Sequence, residues 1–205
     1  MTTVTYLTPA NYKKNKWPVL VLDLSVGIKK TKNLGWKSKY FQPKPNPESG
    51  YTSFPEFIEM IQKLNFSHEN LVLLLEAPLS YCLNENNEPV KRGDFEDTSK
   101  SWHFPFGMCA ASQAKVILDQ IIIALNNIDI VIHLAELYQP TTTDEGKLSN
   151  HDVATMGLQY YLAISNIVDE KEGTYHSFVT TTDEKETGHL VFRKGLVSFL
   201  PFKKW

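Results

Sequence analysis

Cysteine is scarce: Cys82 and Cys109 alone occur among 205 residues. Two are too few for a secreted disulfide framework, and they lack the spacing of a zinc site. No glycine-rich turn between a strand and a helix is present to cradle a phosphate, which counts against a dinucleotide or P-loop enzyme. No apolar core precedes the lysines of MTTVTYLTPANYKKNKW, so no signal peptide is expected. The most apolar stretch, Val116 to Leu137, is interrupted by Asp119, Gln120, Asn126, Asn127 and Asp129 and is too polar to span a bilayer. Internal repeats and low-complexity tracts are also missing. A cytoplasmic chain without a membrane partner is the expectation.

What remains is ordinary globular material, 42% hydrophobic and 21% charged. A chain of this length buries roughly 70% of its unfolded surface and folds without a metal or disulfide staple. One domain, residues 1–205, is expected. The net charge of −2 hides an asymmetry. Residues 1–47 hold nine lysines against one acid, Asp23, and the remainder is acidic. Such a split is the footprint of an anionic partner, or simply a solvated lysine-rich face.

Hydrophobic pattern gives the elements. WPVLVLDLS (17–25) and LVLLLE (71–76) read as strands buried on both faces. Gly35–Phe41 is a second strand, and QPKPNPESG a loop. Phe54–Leu64 and Cys109–Leu125 carry apolar residues at helical spacing. Ile128–Leu134 is a further buried strand, and a helix capped by Ser149 or Asn150 is expected to run to about Ile167. Residues 77–108 form a long insertion of poor periodicity, a feature that is often functional. Residues 170–205 are β-prone and suggest a β-rich C-terminal extension with a hairpin. The fold class is α/β with a mixed sheet and flanking helices.

Three acids sit where packing does not favour them. Asp23 interrupts the first apolar strand, Glu76 ends the next, and Asp152 lies in the first turn of the last long helix. An ionised carboxylate beside a core strand is costly unless it is paired or binds a metal. Oxygen ligands of this kind suit Mg²⁺ or Mn²⁺. Each acid alone also has a plainer explanation: a lysine partner for Asp23, a loop start for Glu76, the helix dipole for Asp152.

Four segments carry a resemblance. VLDLSVGIKKTKNLGW (21–36), LLLEAPLSYCLNENNEPVKRGDFED (73–97), HLAELYQP (133–140) and SNHDVATMGLQYYLA (149–163) occur in that order. Together they resemble the ribonuclease H-like superfamily, in its Holliday-junction-resolvase-like branch of predicted nucleases. The resemblance implies a ribonuclease H-like sheet with Asp23 central, Glu76 on the neighbouring strand and Asp152 on the last helix. It also implies that these three carboxylates are catalytic and hold two divalent ions, Mg²⁺ or Mn²⁺, for phosphodiester hydrolysis in DNA or RNA. Family members often place a second acid three residues before the helix acid. Ser149 stands there in this chain, and Glu136 is the candidate replacement as a metal ligand.

Lys29, Lys30, Lys32 and Arg92 are the candidate nucleic-acid contacts, Arg92 as a bidentate phosphate clamp. His151 adjoins Asp152 but points about 100° away on a helix. His133 reads as a satisfied core histidine. Trp36, Trp102, His103, Phe104 and Phe106 either stack on bases or pin the insertion to the domain. Two functions compete: a metal-dependent nuclease, and a non-catalytic ribonuclease H-like module that binds nucleic acid or protein. A homodimer is left open as the assembly.

Overall fold

A computed structural model describes residues 3–6, 17–24, 34–64, 70–92, 96, 101–137, 167–168, 174–177, 188–193 and 196–201. It is a mixed α/β structure whose main sheet is flanked by helices. The apolar run after Pro18 becomes strand β2 (Val19–Leu24), preceded by the short β1 (Thr3–Tyr6). β3 (Leu34–Lys39) turns back antiparallel to β2, pairing Asp23 with Gly35 and Leu22 with Trp36. β4 (Ser49–Thr52) adds antiparallel to β3 at the end of the proline loop, so the loop expected over 42–50 gives way to a strand at its end. Three prolines hide that strand in the sequence, because they dominate the local composition while the strand holds none.

Helix α1 (Phe54–Lys63) starts where expected. The Ser53 amide donates to Glu56 Oε2 at 3.0 Å, and Pro55 occupies a first-turn position that needs no amide donor. Phe57 and Ile61 are its buried residues. β5 (Asn70–Leu75) then pairs parallel with β2. Helix α2 (Pro105–Ala124) begins a turn earlier than its apolar spacing suggested, with a proline in the opening turn. Gly107 allows the chain to enter there, since a β-carbon on it would lie 2.7 Å from the Trp102 carbonyl oxygen. Gly107–Ala124 is long and apolar enough to cross a bilayer by length and composition; a third of it is buried, including Ala110, Ala114, Ile117, Leu118 and Ile121.

β8 (Val131–Leu137) pairs parallel with β5 and starts three residues later than the apolar run. Its other edge is shared by β1 and by β11 (Gly188–Arg193), both parallel to it. β11 forms the expected hairpin with β12 (Leu196–Pro201), and β9 (Ile167–Val168) pairs with β12. β11, β12 and β9 thus belong to the main sheet. The insertion is also more regular than its composition suggests. β6 (Ser80–Leu83), β7 (Pro89–Val90) and β10 (Thr174–Ser177) make a small antiparallel sheet.

The two faces of the main sheet differ. Leu20, Leu22, Leu71, Leu73, Leu75, Ile132 and Leu134 share one core with Phe57, Leu118 and Ile121. This is the helix face. The alternate residues Val19, Val21, Val72, Leu74 and Ala135 are fully buried on the opposite face.

Candidate carboxylate site

The register of three parallel strands decides which acids can meet. Leu22 lies opposite Leu75, and Leu75 opposite Glu136, so all three point to the helix face. Asp23 and Glu76 are the next residues along their strands and point to the other face. The Glu76 amide continues the ladder by donating to the Leu22 carbonyl at 2.9 Å. The two carboxyl groups are hydrogen-bonded to each other at the carboxyl ends of adjacent parallel strands. Asp23 is only 3% exposed, and Glu76 is half-buried.

Two carboxylates this close and this dry cannot both stay charged. Burial raises the Asp23 pKa from 3.8 to about 6, and the hydrogen bond from Glu76 pulls the other way. Burial, then the hydrogen bond and negative charge of Asp23, raise the Glu76 pKa well above its ordinary value of 4.5. The hydrogen bond lowers the Asp23 pKa and raises that of Glu76, so Glu76 is the donor and Asp23 the acceptor. The pair titrates as a unit.

Glu136 does not join them. Its side chain is on the wrong face, and its oxygens are already taken. Arg92 Nη1 and Nη2 donate to Glu136 Oε2 and Oε1, each at 2.6 Å, and the Leu79 amide donates to Oε2 at 2.9 Å. This corrects the expectation that Glu136 replaces the missing helix acid.

Arg92 is likewise corrected as a phosphate contact. Its side chain is fully buried, with Nε 2.8 Å from Glu96 Oε1 and Nη1 3.1 Å from Ser80 Oγ. The bidentate fork meets a carboxylate of its own chain instead of a substrate phosphate. Burial works against the guanidinium charge, but Glu136 and Glu96 more than offset it and hold its pKa above the ordinary arginine value. Among the described residues one cation faces two acids in this cluster, and three backbone amides also donate to them: Leu79 to Glu136, with Arg92 and Trp102 to Glu96 at 2.9 and 3.3 Å. No signature of this cluster is visible in the sequence beyond the i,i+4 spacing of Arg92 and Glu96, because Glu136 is 44 positions away.

The other candidates divide. Trp102 is buried and donates from Nε1 to the Val90 carbonyl at 2.8 Å, so it pins the insertion. His103 and Phe104 are exposed. His133 is a satisfied core histidine: Nε2 lies 2.7 Å from Asn70 Oδ1, its ring stacks on Trp17 at 4.5 Å, and burial lowers its pKa to about 4. Asp152, His151, Ser149, Lys29, Lys30 and Lys32 lie outside the described residues. Among the described residues, no group of three His, Cys, Asp or Glu side chains could hold a metal. The chain matches no protein-family model, and no curated protein matches it in sequence.

Two outcomes follow. Arg92→Met should destabilise the fold by about 3–5 kcal/mol, because it strands two buried carboxylates. The triple change Arg92→Met, Glu96→Gln, Glu136→Gln should recover most of that loss in urea denaturation; a benign single substitution would show that the cluster is not a lock. The carboxyl pair should also set a pH dependence in chelator. A carboxyl whose pKa is raised on folding stabilises the native state below its unfolded value of 3.8, and that contribution is lost as pH rises through about 6. Wild-type stability relative to Asp23→Asn should therefore fall between those values, and parallel curves would contradict the coupled pair.

Proposed function

We propose that the protein is a ribonuclease H-like, divalent-metal-dependent nuclease that hydrolyses phosphodiester bonds in DNA or RNA. One observation carries the reading: a buried, hydrogen-bonded Asp23–Glu76 pair at the carboxyl ends of adjacent parallel strands. Open α/β sheets place ligands at those ends. The antiparallel β2–β3 hairpin, with Asp23 opposite Gly35 beside Trp36, agrees with the first segment of the resemblance. Strand β2 is also interior to the sheet and β5 is its parallel neighbour, as the resemblance implies for Asp23 and Glu76.

The donor set fits a hard cation. Both groups offer only oxygen, and their mutual repulsion when ionised is relieved by a positive ion as well as by a proton. Asp23 and Glu76 would hold Mg²⁺ or Mn²⁺, with Asp152 as the third ligand that the resemblance assigns. When bound, the ion supplies charge stabilisation to a phosphodiester undergoing hydrolysis. Glu76 must release its proton to serve as a ligand, so occupancy weakens as pH falls. Burial of Asp23 strengthens the electrostatics of the pair.

Asp23→Asn is nearly isosteric but removes the charge that attracts the ion. It should abolish Mg²⁺- or Mn²⁺-dependent cleavage of labelled DNA and RNA while leaving the fold intact. Wild type should also melt several degrees higher in millimolar Mn²⁺, since an ion at 100 times its Kd adds about 2.7 kcal/mol, and the variant should not. An Asp23→Asn protein that still cleaves would reject the assignment. A wild type with no thermal response and no cleavage would favour the non-catalytic module.

A further inference from the structure

The sheet face that carries Asp23 and Glu76 changes character across its width. Over β2 and β5 it is closed, with Val19, Val21, Val72 and Leu74 fully buried. Over β3 and β4 it is partly open, although Gly35 is buried there. Pairing places Asp23, Gly35 and Tyr51 in one row across three strands, and Val21, Lys37 and Ser49 in the next. Lys39, opposite Val19, follows on the same face. Tyr51 is 42% exposed, Lys39 is exposed, and Lys37 is half-buried. The other face of the same two strands is the packed one, where Leu34, Trp36 and Ser38 are buried.

We infer that this open face of β3 and β4 is a binding shelf for a single nucleic-acid strand. Lys37 and Lys39 contact its phosphates, and Tyr51 stacks on one base. The inference rests on the nuclease reading of the adjacent site and names the form of its substrate. Charge complementarity selects the partner. Successive same-face positions of a strand are about 6.7 Å apart, and the two here are both lysines. The nearby acid Glu48 is paired with Lys44 at 3.1 Å.

Tyr51 selects the strandedness. An exposed aromatic ring offers its face to an unpaired base, whereas the bases of a duplex already stack on each other. The row also connects shelf to site. In that row Gly35, which is buried, pairs with both Tyr51 and Asp23, and two strand spacings put their backbones about 10 Å apart. A base on Tyr51 therefore lies within reach of a phosphodiester at the carboxylates.

The test is fluorescence anisotropy in EDTA with the full chain. The probes are labelled oligothymidine and oligouridine of ~12 nucleotides, and a blunt DNA duplex of equal length, each at several salt concentrations. Single strands should bind more tightly than duplex. Tyr51→Ala should weaken single-strand binding about tenfold, within the range for losing one stacked base, and Tyr51→Phe should not. Lys37→Gln with Lys39→Gln should reduce the slope of log K against log salt by about 1.4, or 0.7 for each phosphate of a single strand that is no longer neutralised. The paired Lys→Arg changes should restore that slope. Unchanged slopes, a preference for duplex, or no binding at all would overturn the shelf. Cleavage by wild type with all variants binding alike would reject the shelf and leave the nuclease standing. The expected binding pattern without cleavage in Mg²⁺ or Mn²⁺ would retain the shelf and reject the nuclease.

Discussion

Parallel pairing of β2 with β5, and of β5 with β8, is the constraint on which the site depends. The side-chain period of a strand is two, so a slip of one residue would exchange the faces. Asp23 would then enter the apolar core, and Leu22 would take its place at the edge. The register is held by apolar rows on both faces, with Val19 to Leu22 and Leu71 to Leu75 all fully buried. Burial thus does more than stabilise the sheet. It forces two acids that no local interaction would bring together into one hydrogen-bonded pair.

Three acids near this edge are treated in two different ways. Glu136 accepts from Arg92 and from the Leu79 amide. Among the described residues Glu76 is paired with Asp23, a group of the same sign, and a proton or a cation relieves their repulsion. The first arrangement is structural: it ties the insertion to β8, with Glu96, Ser80 and Trp102 drawn into the same cluster. The second is what a site built to accept a positive ion requires. Since Leu79 follows Glu76 by three residues, the structural cluster also fixes the turn that leaves the site.

Much of this arrangement is legible in the sequence. Apolar runs locate β2, β5 and β8, and helical spacing locates α1 and α2, because burial on one or two faces writes a period into the chain. Asp23 and Glu76 stand out as acids that interrupt or end such runs. Strand β4 is hidden behind proline, and the short β6 and β7 are hidden in a polar insertion, since little of their stability comes from a periodic apolar face. The roles of Arg92 and Glu136 cannot be read from the chain alone. An arginine that grips a phosphate and one that grips a distant glutamate have the same local sequence, and only the register shows that Glu136 faces away from Asp23.

The account stands on the carboxylate pair accepting a divalent ion. Anomalous diffraction from crystals soaked in Mn²⁺ tests that most directly. A manganese peak between the Asp23 and Glu76 carboxylates, with their mutual hydrogen bond replaced by coordination to the ion, is the predicted result. A pair still hydrogen-bonded to itself in millimolar Mn²⁺ above pH 7, with no peak between the two groups, would contradict it.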